Sequence, residues 1–559
     1  MTSSDVARSE QQGAALALDA GLAAAHKALS ALQRDDGSWA GMLSASAVAT
    51  GSAVIALHRH DPVANADWIE AGCRWLRAAQ DEAGGWGDDV GAPATVNATG
   101  IAMAALAVAD PGESAAAIAA AGKRIEAFGG TAVFADKRQC TLRGVVQHYL
   151  ADAGHYPREK IARTPLELVL MPAALRRRLS FTLPGVFSWG LWHSRSRGGI
   201  GHRLLVRAAE PRVLDYLEQL QSFEDHRGGF EESPLMTSCV AYALIRARVA
   251  PSMVARCVDY LHKTMRADGS WSVDRDMDVS VTGFVSVALA DADPESPELI
   301  RALSFLRSAQ RPEPFPATGC PGGGWGWSLP SGWPNSGDTG ATMLALHALG
   351  VTPNDPALRA GASWLTAMQN KDGSWGCFTR NAKISLDAPC VVLTADAVTA
   401  LHRAGAVPVS DGRIRRAIAW FGTAQRSDGA FPGSQWYTGD VVGTAHALRM
   451  FADLGAPRHP VARRAQRWLR AAAGADGGWG SVEETGWALI ALLAAADPGD
   501  SELIENGARW LLDAQRADGR WDPAMVGVYF LDVRYAYDHF ADALALRALA
   551  ACREAGHHV

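Results

Sequence analysis

One short motif recurs along the chain and limits what it can fold into. The segments "CRWLRAAQDEAGGW", "ASWLTAMQNKDGSW", "IAWFGTAQRSDGAF" and "ARWLLDAQRADGRW" share it, and "LSALQRDDGSW" carries its second half. An aromatic lies five residues before a Gln (Trp75 and Gln80, Trp364 and Gln369, Trp420 and Gln425, Trp510 and Gln515), and another follows six residues after it (Trp86, Trp375, Phe431, Trp521). The stretch before the Gln has helical spacing of Ala, Leu, Arg and Trp. Asp-Gly or Gly-Gly ends it, because Gly accepts the left-handed cap conformation. The Gln amide is placed to bond free backbone groups at a helix end. About fifteen residues on, a second signature opens an apolar helix: "NATGIAMAAL", "SVTGFVSVAL", "GDTGATMLAL", "EETGWALIAL". Its Thr suits a position at or near the N-cap. Each unit is thus an outer helix, a Trp-bearing loop and an inner helix. Such a unit cannot bury its apolar face alone, so copies must stack or close into a ring. Tetratricopeptide and HEAT arrays fit poorly, since they lack Trp and Gly at the turn.

Composition narrows the function classes. The chain has 559 residues and a net charge of -6, which does not suggest nucleic acid as a partner. Its 19 Trp outnumber 15 Phe and 9 Tyr, as a Trp-placing repeat requires. The eight Cys show no CxxC and no regular framework, so they read as reduced thiols of a cytoplasmic protein. The first residues, "MTSSDVARSEQQGAALALDAGL", do not have signal-peptide character. No run of 18 apolar residues predicts a membrane span.

The repeat resembles the QW repeat of class II terpene cyclases, the squalene–hopene and oxidosqualene cyclase superfamily, over roughly residues 15–555. The resemblance implies an all-α fold of two α/α-barrel domains with an apolar cavity between them. The expected division is a loose tail at 1–14, one barrel from 15–40 and 300–559, and a second from 41–299. In that family an Asp of a D-x-D-D-T motif protonates a terminal alkene or epoxide. The carbocation then runs along aromatic faces, which stabilise it without trapping it. Here "GGGWGWSLPSGWPNSGDTGATM" matches the family's surroundings of that motif, which puts D-x-D-D-T on Asn335, Ser336, Gly337, Asp338 and Thr339. The donor position is therefore Gly337, and Asp338 is the one acid kept. Taken by itself, Asp338 could equally be a helix N-cap.

Asp396, in "VVLTADAVTAL", falls by register where hopene cyclases keep a His that orients the acid. It is expected to lie near Asp338, so that each raises the other's pKa. The acidic run Asp274, Asp276, Asp278 reads as a helix N-terminal loop, favoured by the dipole. By motif register Trp327, Phe378, Trp436, Phe530 and Tyr537 match cavity-facing aromatics. Ser280, Val526 and Arg534 stand where hopene cyclases carry aromatics, and Arg534 could hold a diphosphate.

The segment near 165–207 breaks the repeat and mixes Leu, Phe and Trp with Arg176, Arg177, Arg178, Arg195, Arg197 and Arg203. In hopene cyclases the matching region is an apolar, membrane-dipped substrate entrance, so monotopic contact with the inner face of the membrane is expected; the alternatives are a diphosphate site for a prenyl substrate and a solvated helix face with a few core anchors. The implied substrate is a linear polyprenyl chain, either a squalene-like hydrocarbon or a prenyl diphosphate. No cofactor is expected, with Mg²⁺ entering only for a diphosphate. A homodimer is compatible with this reading. The competing reading is an isoprenoid-binding protein that has lost its proton donor. A protein prenyltransferase β-subunit is disfavoured, since no Asp, Cys and His zinc set stands out.

Overall fold

In the computed structural model every motif Gln ties three pieces of chain together. Gln369 Nε2 donates to Gly373 O in its own loop (3.0 Å) and to Arg413 O in the next outer helix (2.9 Å). Gln80, Gln310, Gln425 and Gln515 repeat the pattern. Each following Trp turns its indole N–H onto a Leu carbonyl of the preceding outer helix, as Trp375 does to Leu365 O at 2.8 Å. Its backbone N–H donates to the hydroxyl of the signature Thr: Trp86 to Thr99, Trp325 to Thr339, Trp375 to Thr394, Trp479 to Thr485. That Thr lies within the inner helix rather than at its cap. Thr95, four residues earlier, caps helix Val96–Ala109, and Asn335 caps helix Ser336–Ala348. The repeat is thus a hydrogen-bond clamp around a buried indole. Trp39, Trp86, Trp271, Trp325, Trp375 and Trp521 are fully buried, and truncating one would cost about 3–5 kcal/mol.

The described residues are 3–89, 91–176, 179, 182–197, 199–223, 228–329, 332–382, 387–433, 436–529 and 533–557. Among them the regular structure is helical except for one short hairpin, Gly527–Tyr529 against Val533–Tyr535, and an isolated bridge between Leu43 and Tyr537. Six inner helices form a closed ring: Asp278–Ala292, Ser336–Ala348, Val391–Arg403, Asp440–Asp453, Val482–Ala495 and Phe540–Glu554, the last packing on the first. The ring therefore begins before residue 300, the boundary expected from the repeats. Helix Ser3–Ser30 packs outside it, and its backbone is already helical over most of the stretch expected as a loose tail. A second group joins Ala47–His60, Val96–Ala109, Arg143–Asp152, Leu183–Ser196 and Pro234–Ala247. Between the third and fourth of these, Tyr149 meets Trp189 edge-on at 5.6 Å.

The two groups are laced where the chain crosses. Trp39 N–H donates to Thr282 Oγ1 of the large ring, and Trp271 N–H to Thr50 Oγ1 of the other. At the crossing Gly41 N–H meets Asp276 Oδ1 (2.7 Å) and Gly41 O accepts from Met277 N–H (3.0 Å). A Cβ on Gly41 would lie 2.6 Å from the Met277 backbone, so only Gly allows this approach.

Candidate active site

The loop before helix Ser336–Ala348 is held from both sides. Asn335 N–H donates to Trp325 O, and Ser336 N–H to Cys377 O, both at 3.0 Å. The Asn335 side chain accepts from Asp338 N–H (2.9 Å) and is the N-cap. Asp338 is therefore not the cap, and its carboxyl is left for other work. Ser280 Oγ donates to Asp338 Oδ1 at 2.5 Å, and Asn335 Nδ2 donates to Oδ2. Burial raises the Asp338 pKa, and these two hydrogen bonds oppose the rise. Asp396 is not among the causes, so the expected mutual elevation does not operate on Asp338. Ser280, read in the sequence as a lost aromatic, is the partner of this acid.

Around Asp338 the aromatic side chains form a connected wall. Trp327 meets Phe378 (5.9 Å between centroids), Phe378 meets Trp436 (5.8 Å), and Trp436 meets Tyr529 (5.3 Å). The wall continues through Tyr535 and Tyr537 to Phe540 and Phe284. Tyr437 and Tyr537 are hydrogen-bond partners, and burial followed by nearby groups, Asp338 among them, drives both phenols well above their ordinary pKa. Four of the expected lining residues, Trp327, Phe378, Trp436 and Tyr537, thus fall in one wall. Phe530 lies outside the described residues. Arg534 does not join the wall. It sits in the middle of strand Val533–Tyr535, whose alternation buries Val533 and Tyr535 and exposes Arg534.

Midway along the wall stands Asp274, 1% exposed, which accepts a hydrogen bond from the Tyr529 hydroxyl. Burial pushes its pKa up to about 7. Tyr535 feels both acids: burial raises its pKa first, then Asp274, then Asp338. In the sequence Asp274, Asp276 and Asp278 read as one acidic loop. Tertiary contacts separate Asp274, because its two neighbours do connecting work. Asp276 binds Arg34 (2.9 Å) and Gly41 N–H, and buried Asp278 accepts Leu329 N–H (2.9 Å).

Asp396 lies on helix Val391–Arg403 and faces the interior of the large ring, its side chain 19% exposed. His446 Nδ1 donates to Val442 O (2.8 Å), and burial lowers the pKa of the ring. The neutral imidazole thus presents Nε2 to Asp396 Oδ2 at 3.8 Å. The ring interior beside Asp396 is also lined by Phe284, Trp487, Arg449 and Arg547. Tyr437 stands within electrostatic reach of both Asp338 and Asp396.

Gly337, at the register of the family donor, has little room. A Cβ there would lie 2.9 Å from a Leu393 methyl and 3.3 Å from Asn335 Oδ1. Leu393 must swing aside before any side chain fits.

With this geometry in view, the chain can be set beside known proteins. The family model for the squalene-hopene cyclase N-terminal domain matches residues 22–190, and that for the C-terminal domain matches 273–383 and 378–554. A squalene–hopene cyclase of Bradyrhizobium diazoefficiens is 27% identical over 36% of this chain and 36% of its own length. The squalene–hopene cyclase of Alicyclobacillus acidocaldarius is 24% identical over 92% of this chain and 94% of its own. The chain spans 36–43% of the length of three of the curated relatives it matches. Among solved structures, an ent-copalyl diphosphate synthase from Streptomyces platensis superposes with a TM-score of 0.63. It is 20% identical and covers 98% of this chain and 99% of that one, a likeness of fold.

Proposed function

Because the chain belongs to the squalene-hopene cyclase family, we propose that it is a class II-type terpene cyclase acting on a linear polyprenyl substrate. The observation that carries this reading is a half-buried carboxyl, Asp338, set against a continuous aromatic wall. Burial favours the protonated carboxyl, and an acid kept neutral at working pH can give its proton to an alkene. In the proposed step the Asp338 O–H bond breaks, and the alkene π pair takes the proton in a new C–H bond. A tertiary cation is left on the neighbouring carbon. The next alkene closes on that cation, and the faces of Trp327, Phe378, Trp436 and Tyr537 stabilise the charge as it moves. Loss of a proton from the final cation ends the reaction and restores neutrality. Asp396, with His446 behind it, is proposed as a positioning residue that acts on the acid through Tyr437.

The substrate is proposed to be either a squalene-like hydrocarbon or a prenyl diphosphate. Exposed Arg534 gives no support to a diphosphate held inside the wall. Contact with a membrane surface is proposed through the segment near 165–207. Leu170, Leu175, Ile200 and Leu204 are exposed there among arginines, while Arg177 and Arg178 lie outside the described residues. Among the described residues no helix is long and apolar enough to cross a membrane.

The test is incubation of the protein with squalene, oxidosqualene, geranylgeranyl diphosphate and farnesyl diphosphate, with products read by mass spectrometry. Asp338→Asn should lose about 10²–10⁴-fold in turnover, the usual contribution of a general acid. Unimpaired Asp338→Asn with an inactive Asp274→Asn would move the acid to Asp274, beside Tyr529. Gly337 at the donor register favours one other reading, isoprenoid binding without turnover. Substrate retained unchanged by every preparation would support that reading and sink ours.

A further inference from the structure

Away from the aromatic wall, the smaller helix group holds two histidines with unused ring nitrogens. His148, on helix Arg143–Asp152, is 3% exposed, and neither of its nitrogens has a hydrogen-bond partner. His193, on helix Leu183–Ser196, is 5% exposed, and its Nε2 is likewise unpartnered. The rings lie 5.8 Å apart, with Trp192 packed on His148 at 4.4 Å. Leaving buried polar nitrogens unpaired is costly, and both rings line the same pocket. Burial, and for His148 the neighbouring His193, lowers the pKa of each imidazole. A neutral ring offers one N–H donor and one acceptor.

The rest of the pocket is cationic. Arg158, Arg197 and Arg246 line it. Asp152 is also there, but its oxygens are taken by Arg59 (2.7 Å), Arg246 (3.2 Å) and Arg158 (3.9 Å). With Glu159 included, four guanidiniums face two carboxylates. Arg197 is exposed and has no ion-pair partner among the described residues. It also lines an adjoining groove with Arg195, Arg203 and Arg207, where Glu210 is the one acid. In a chain of net charge -6 this concentration of arginine is local. Imidazole N–H groups and guanidinium forks converging on one pocket suit a tetrahedral oxyanion.

We propose that this pocket binds a phosphate group, as the head of an anionic phospholipid or as a soluble phosphate. Exposed Ile200 and Leu204 lie on the helix Ile200–Phe223 that supplies Arg203 and Arg207 to the groove, and would meet the acyl chains of a lipid. The pocket is built by the smaller group, whereas Asp338 and its wall belong to the large ring. The proposal therefore does not depend on turnover.

The experiment uses the full chain. Inorganic phosphate and diphosphate are titrated by calorimetry, and flotation is measured with phosphatidylcholine vesicles with and without phosphatidylglycerol. Binding of phosphate or diphosphate, lost about tenfold or more in His148→Phe and in Arg197→Gln, supports a soluble phosphate. Flotation only with phosphatidylglycerol, with the same two losses, supports a lipid head. His148→Phe keeps an aromatic against Trp192, and Arg197→Gln is exposed, so at least one variant should melt like the parent. Equal affinity of parent and variants for every probe, or no binding of phosphate or diphosphate together with equal flotation on both vesicle types, would overturn the proposal. Cyclase turnover, assayed in parallel, should persist in Arg197→Gln. A failure of the cyclase reading would then appear as missing product with phosphate binding intact.

Discussion

Removing the Ser280 hydroxyl tests how the Asp338 proton is held. Ser280 Oγ donates to Asp338 Oδ1 at 2.5 Å and Asn335 Nδ2 donates to Oδ2; both bonds favour the ionised carboxylate. A hydrogen bond to a charged group is worth about 1.5–3 kcal/mol. Ser280→Ala withdraws that from the ionised form, so the ratio of protonated to ionised Asp338 rises about 10–100-fold. The sign follows from the reaction. Activity needs the protonated acid and falls as pH rises through the Asp338 pKa. The alkaline limb of kcat/KM must therefore move to higher pH in Ser280→Ala. A carboxyl that holds its proton more tightly is also a weaker acid, so the low-pH plateau should drop. Ser280→Thr keeps the hydroxyl and should leave the limb near its original place. The assay is product formation against pH for the three proteins. A limb that stays fixed or moves to lower pH would refute the assignment of Asp338 as the proton donor.

Three further outcomes follow from the same geometry. Gly337→Asp restores an acid at the donor register and needs only a Leu393 methyl to swing away from the 2.9 Å approach; product yield at neutral pH should rise, checked by chromatography. Asp387 is buried, its Oδ1 accepts two backbone N–H groups, and its pKa is pushed up to about 7 by burial. A carboxyl whose folded pKa exceeds its unfolded value near 3.8 stabilises the fold most at low pH. That stability is lost as pH rises from about 4 to 7, by up to roughly 4 kcal/mol. Asp387→Asn should therefore raise Tm at pH 8 more than at pH 5, and an equal shift at both would reject the argument. Gln515 ties its loop to the opening helix through Gly519 O and Gly21 O. Gln515→Leu should cost about 1–3 kcal/mol, read as a lower urea midpoint with an unchanged slope.

The repeat determined much of this protein before any coordinates. Helix–loop–helix units, their Gly stops and buried Trp follow from local spacing, because capping and helical periodicity act within a few residues. The register of "GDTGATM" located Asp338, and four aromatics placed by the same register lie in one wall. Contacts between distant segments were a different matter. The Thr hydroxyl bonds a loop N–H rather than capping its own helix, and Ser280 reaches Asp338 across 58 positions of chain. Asp274 and Asp276 are two residues apart, yet one meets the aromatic wall and the other a crossing of two strands of chain. Whether a carboxylate is a cap, a clamp or a buried acid depends on which donors tertiary packing brings to it and how much water it excludes. Neither is written in the residue's own neighbourhood, and so only the folded rings decide it.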